Sequence, residues 1–209
     1  MSDTADTEQA ENLNEALRLE DNAGLKRTRH LAFHLAVVVV TLCLFAAADS
    51  WFALTGLGLA AALSIATGLA AGFVFTSEVH EWFHYLGAKF SGGDYSTPDK
   101  MGFFVYDWNF EKNTVNQFFT MSIAGTVGSL VGLYSLFTWL PQDTVGRVAI
   151  IAGGAASLGF AAAIEWPVLM RTRQSREPFQ ELAKTDQQVL TRSTVIGAVV
   201  ALITWQALT

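Results

Sequence analysis

Cysteine occurs once in 209 residues, at Cys43, so the chain has neither a disulfide framework nor a multi-cysteine metal knuckle. Charge is scarce too: Asp, Glu, Lys and Arg supply 15% of the residues, where a soluble domain carries about a quarter. What charge there is sums to -6. That excludes a nucleic-acid binder, which needs a basic face to displace counterions. Histidine is limited to four positions, His30, His34, His80 and His84. A soluble globular enzyme is a poor fit to this composition.

Apolar residues are plentiful, at 51% of the chain with a mean hydropathy of +0.32, and they are gathered into blocks. The blocks cover residues 31–48, 51–76, 116–140, 148–170 and 193–208, each reaching or approaching the roughly 20 residues a helix needs to cross a bilayer. None has a mid-span proline. The pattern predicts an all-α polytopic membrane protein with about five transmembrane helices, the second continuing to about residue 90. A short turn near Asp49 and Ser50 is expected to join spans one and two. Gly68 and Gly72, and Ala124, Gly128 and Gly132, recur four apart where close helix approach is needed in lipid. Cys43 is expected in the core as an inert residue.

Residues 1–28 form an acidic tail, expected to be solvated and partly disordered. Its first 22 residues hold seven acids against Arg18 alone, unlike a secretory signal, which opens basic and turns apolar. The other basic residues sort by side. Lys26, Arg27, Arg29, Lys89, Lys100, Lys112, Arg171, Arg173, Arg176, Lys184 and Arg192 all fall on one face; Arg147 alone falls on the other. The positive-inside rule then places the protein in a cell membrane with its N-terminus cytoplasmic and its C-terminus outside.

Chemistry enters directly after the second block. His80, Glu81 and His84 form H-E-x-x-H, in which two histidines one helical turn apart share a face and bind one metal, while the glutamate stands beside it as general base. Ionisable groups at membrane depth point to function rather than solvation. The bland reading is a helix end whose polar residues meet lipid headgroups.

The stretch His80-Glu81-Trp82-Phe83-His84-Tyr85-Leu86-Gly87-Ala88-Lys89-Phe90-Ser91-Gly92 resembles the site-2 protease family of intramembrane zinc metalloproteases, which continue H-E-x-x-H with an alanine, a basic residue and a glycine at about these offsets. Ser122-Ile123-Ala124-Gly125-Thr126-Val127-Gly128-Ser129 is similar to the family's alanine-glycine-proline segment, with Thr126 at the proline and Ser129 at the asparagine. The resemblance spans roughly residues 57–171. It implies one Zn2+ per chain and a third protein ligand on a later span, an aspartate in the family. Glu165, the only acid in span four, is the candidate for that ligand, at a depth similar to that of His84. A lone carboxylate there stays protonated or finds a cation, and zinc on two neutral histidines needs an anion. Asp107 and the His30/His34 pair are the competitors.

His30 and His34 read first as interfacial histidines near Arg29, and alternatively as support for the metal or as half of a two-metal centre. Residues 101–110, rich in aromatics, predict one or two strands in a short interfacial β-like loop, which reads equally as an edge that could take up an unwound substrate and as an interfacial aromatic belt. A short surface helix is expected after Pro178. The reading is an intramembrane zinc metallopeptidase acting on a membrane-spanning substrate, with Glu81 catalytic and His80, His84 and Glu165 on the metal. Its alternative is a metal-binding membrane protein without protease activity, either a four-histidine oxidoreductase or an inactive partner subunit. The expected partners are the bilayer, a membrane-protein substrate, and a second copy or another membrane protein, with no nucleic acid.

Overall fold

The computed structural model describes the chain from Asp3 onward, and its side chains from Asn22 onward. Helix α1 spans Asp3–Thr55 and α2 spans Gly58–Phe90; two short strands, β1 at Tyr95–Ser96 and β2 at Asp107–Trp108, precede α3 at Val115–Trp139. Then come α4 at Val145–Ser175, a one-turn α5 at Pro178–Leu182, and α6 at Gln187–Leu208. Five of these helices are long and apolar enough to cross a membrane, counting α1 from Asn22. The protein is all-α with a two-residue antiparallel ladder pairing Tyr95 with Trp108 and Ser96 with Asp107. The expectation of a solvated tail falls largely on side chains outside the described residues.

Caps written into the sequence set the helix ends. Thr114 and Gln117 exchange side-chain and backbone hydrogen bonds in a capping box ahead of α3. Thr144 accepts from the Arg147 amide at the start of α4, and Asp186 accepts from the Val189 amide at the start of α6. Helix α5 begins at Pro178, as the sequence suggests, and Arg171 Nε holds it to α4 through Glu181 Oε2 at 2.9 Å.

Spans one and two do not turn at Asp49 and Ser50. Helix α1 continues to Thr55, and the reversal is made at Gly56, whose φ of +64° an L side chain rarely adopts. The Gly56 amide closes on Phe52 O at 2.8 Å. Asp49 is instead buried, accepting from Ser64 Oγ at 2.8 Å and Thr144 Oγ1 at 2.9 Å, with Arg147 Nε at 3.5 Å. An acid that looks like a turn residue therefore ties α1 to α2 and to the start of α4. Cys43 also departs from expectation, since it faces outward from α1 and lies outside the core.

Helix α2 is the axis of the bundle, packed against α1, α3 and α4, while α6 packs on α4. Glycine makes these approaches possible. A Cβ on Gly72 would strike the Ile150 carbonyl of α4, and one on Gly128 would meet Phe83 and the Val79 carbonyl of α2. Gly68 faces Gly146 and Ala149, and Gly132 faces Thr76 and Val79. Two apolar clusters result. One joins Phe45, Ala71, Leu136, Ile150 and Ile151; the other joins Ala88, Phe118, Met121, Val168 and Leu169. Along α2, α3 and α4 alike, the polar residues described next fall between the two clusters.

The loop from Ser91 to Thr114 carries less strand than its composition predicts. Within residues 101–110 only Asp107 and Trp108 are extended, and their partner lies upstream, before Pro98. Val105, fully buried, anchors the irregular part. Lys26 Nζ on Asp99 at 2.6 Å and His34 Nε2 on Gly102 O at 2.9 Å tie it to α1. The Lys26 charge holds the Asp99 carboxyl below its usual range.

Candidate metal centre

His80 and His84 occupy the same face of α2 one turn apart, both buried, with ring planes 85° to one another and centroids 4.4 Å apart. Their Nε2 atoms lie 2.9 Å from each other. Glu165 reaches in from α4 and sets Oε1 2.7 Å from His80 Nε2 and 2.9 Å from His84 Nε2. Four residues above Gly125 on α3, Ser129 puts Oγ 2.8 Å from His80 Nδ1, and the Met121 carbonyl lies 2.9 Å from His84 Nδ1.

These outer contacts decide what the inner atoms are. A carbonyl only accepts, so His84 Nδ1 carries its hydrogen and donates it to Met121 O; a neutral His84 then turns a lone pair inward at Nε2. His80 takes the same form when Nδ1 donates to Ser129 Oγ. Two nitrogen lone pairs and a carboxylate oxygen would then point at one another across less than 3 Å. Such an arrangement is stable only around a cation or a proton. The edges of 2.7, 2.9 and 2.9 Å are hydrogen-bonding distances, and His80 Nε2, His84 Nε2 and Glu165 Oε1 are the atoms that would hold an ion. Two imidazoles and a carboxylate, with each ring held from behind, form a donor set that suits a metal.

Glu81, the buried neighbour of His80, completes the group: ligand atoms of His80, Glu81 and His84 lie within 4.8 Å of one another. Among the described residues no such group of three or more forms away from His80, Glu81, His84 and Glu165. These sequence-selected residues are thus brought together by two helices, α2 and α4. Pro167, two residues after Glu165 and inside α4, lacks the amide that would bond the Ala163 carbonyl.

The competitors are placed elsewhere. Asp107 sits exposed in β2 at the rim of the cavity described below. His30 and His34 are both buried within the protein, at 1% and 2% exposure. His30 Nδ1 lies 3.0 Å from Lys26 O, whereas His34 bridges the Glu78 carboxylate of α2 and the Gly102 carbonyl of the loop. Neither joins the His80–His84–Glu165 cluster, which argues against a centre built from all four histidines.

Two features were not singled out by spacing alone. Gly125 lies against the His84 ring, so closely that any Cβ would occupy the ring's place. Ser129 serves the second histidine from the outside. Both belong to the small-residue patch at residues 122–129, which is the one signal that could have pointed to them.

A cavity of about 670 Å³ opens onto the cluster, walled by α2, α3, α4, the loop and the start of α6. His80, Glu81, His84 and Glu165 provide one wall; Phe73, Phe104, Phe110, Phe160, Ile164 and Leu190 are among the apolar remainder. No family model matches the chain, and neither does any curated protein or solved structure.

Proposed function

We propose that the protein is an intramembrane zinc metallopeptidase of the site-2 protease kind, hydrolysing a peptide bond in a membrane-spanning substrate. One observation carries this reading: His80 Nε2, His84 Nε2 and Glu165 Oε1 converge at the wall of an apolar cavity, with Glu81 beside them. Zinc held by those three atoms would act as a Lewis acid toward a carbonyl and lower the pKa of water.

The chain's own residues supply the rest. Glu81 takes a proton from the attacking water on its carboxylate and later gives it to the leaving amine. Met121 O and Ser129 Oγ keep the two imidazoles oriented through Nδ1. The aromatic wall keeps bulk water away and accepts an apolar segment, which must be locally unwound because helical peptide bonds are already hydrogen-bonded. The lopsided distribution of Lys and Arg puts this end of the bundle on the cytoplasmic side, so cuts fall in the cytoplasmic half of a substrate span.

The deciding experiment uses the purified full chain in detergent and in vesicles carrying a panel of single-span apolar peptides. The expected result is one zinc per chain, with cleavage lost in Glu81→Gln. Iron in place of zinc, or a metal-free protein after careful purification, would move the chain to an oxidoreductase or to an inactive partner subunit.

A further inference from the structure

Tyr106 lies on the loop between the fully buried Val105 and the first residue of β2, and it faces the same cavity as His80, Glu81, His84 and Glu165. Its Oη donates to Met121 Sδ at 2.8 Å. Ser122, buried and facing the same cavity, directs Oγ at that sulfur from 3.9 Å. A thioether is a weak acceptor. Two hydroxyl donors thus rest on a partner that any carbonyl or oxyanion in the cavity would outbid. The same Met121 contributes the carbonyl that fixes His84 Nδ1, so these donors stand one residue away from the group orienting a candidate ligand.

The phenol ring is held while its hydroxyl stays available. Tyr106 packs edge-on against Tyr95 with centroids 6.2 Å apart, Tyr95 packs likewise on Tyr85, and Tyr85 Oη accepts from Arg27 at 3.1 Å. Burial, and after it the charges of Glu81 and Glu165, push the Tyr106 hydroxyl far above its ordinary range. It therefore remains a donor across the working pH and is not an acid that loses its proton. Proximity to both carboxylates also places it in the field of the reacting groups.

We propose that Tyr106 is a catalytic residue, its Oη donating a hydrogen bond to the scissile carbonyl oxygen as negative charge develops there, with Ser122 Oγ as the second donor. The inference rests on the peptidase reading above. In that reaction the water oxygen bonds to the carbonyl carbon, the C=O π pair moves onto oxygen, and the water proton passes to Glu81. When the C–N bond breaks, the amine takes the proton from Glu81 and the oxygen's pair returns to carbon. Tyr106 keeps its proton throughout and supplies a charge-directed donor whose value appears only in the tetrahedral state.

Tyr106→Phe keeps the ring and removes the donor. With the full chain in detergent and a cleavable apolar peptide, kcat should fall about 10²-fold while KM stays within threefold and bound zinc is unchanged. Ser122→Ala should show the same split at about tenfold. A phosphinic peptide, which mimics the tetrahedral oxyanion, should bind Tyr106→Phe about 30-fold more weakly, whereas the parent amide peptide should bind Glu81→Gln proteins with and without the Tyr106 hydroxyl equally well. If wild type cleaves and Tyr106→Phe matches it in kcat and in phosphinate affinity, the donor role is overturned and the peptidase reading stands. Loss of zinc or of the fold in Tyr106→Phe overturns it as well, since the role is then structural. A wild type that neither binds zinc nor cleaves removes the peptidase reading itself.

Discussion

Asp49, buried, and Glu165, with 20% of its side chain exposed, stand toward opposite ends of the same bundle and are served in opposite ways. Asp49 receives only donors: the Ser64 and Thr144 hydroxyls and the Arg147 guanidinium. Its charge and lone pairs are answered within the protein, and the result is a staple holding α1, α2 and α4 together. Glu165 faces two histidine nitrogens whose outer Nδ1 atoms are already engaged, and its Oε2 has no hydrogen-bond partner. Burying polar groups is tolerated only when they are satisfied. The first cluster is complete as protein alone, whereas the second still calls for a cation or a proton between its members. Burial of charge does not by itself mark a functional site; the supply of donors separates the two cases.

The largest expected effect lies in chemistry and not in binding. Glu81→Gln should lower peptide cleavage by about 10²–10⁴-fold with zinc content intact, since the amide fills the same space but takes no proton. Cleavage at the wild-type rate would show that the cluster beside Glu81 does not carry this reaction. Next comes the carboxylate pair itself. Glu165→Ala should lose most bound zinc and Glu165→Asp should retain some, while Asp49→Asn should leave zinc content unchanged; metal analysis of the three proteins sharpens the contrast directly.

Ser129→Ala tests the outer contacts. Removing the hydroxyl at His80 Nδ1 should weaken zinc binding by about 10–100-fold in a competition titration, the usual cost of losing a group that orients a ligand. At the opposite end, Ser64→Ala removes one donor from buried Asp49. It should cost about 1–3 kcal/mol of stability, read by denaturant or thermal unfolding in detergent, with zinc affinity unaltered. A matching loss of zinc would mean that the two ends are coupled, and the comparison would fail.

Much of this was legible in the sequence because helical periodicity is local. The five apolar blocks become five helices, and H-E-x-x-H needs only the 3.6-residue turn to bring His80 and His84 together. Glu165 was legible for a different reason: a single acid in an apolar span has few physical solutions. What escaped was non-local. Asp49 reads as a turn residue until Thr144, 95 positions away, is known to donate to it. His30 and His34 share the spacing of His80 and His84, yet one faces a carbonyl of its own helix and the other a glutamate and a loop carbonyl. Spacing makes a histidine pair capable of sharing a metal only when both rings turn to one point, as His80 and His84 do with Nε2 atoms 2.9 Å apart and His30 and His34 do not. Gly125 was invisible for the same cause, because the ring it accommodates comes from another helix.

The smallest expected effect belongs to Asp107, the remaining acid that faces the cavity. It is exposed in β2, paired through the backbone with Ser96, and outside the group of ligand atoms around His80 and His84. An exposed carboxylate is already solvated, so nothing compels it toward a cation, whereas Glu165 is largely shielded and its Oε2 has no hydrogen-bond partner. The Asp107→Ala protein should therefore hold nearly all its zinc and lose no more than a few tenths of a kcal/mol of stability, as surface substitutions usually do. Zinc content and unfolding midpoint can be read on the same preparation. If zinc collapses in Asp107→Ala while Glu165→Ala keeps it, the anionic ligand comes from the loop, and the contrast between a satisfied Asp49 and a cation-dependent Glu165 is lost.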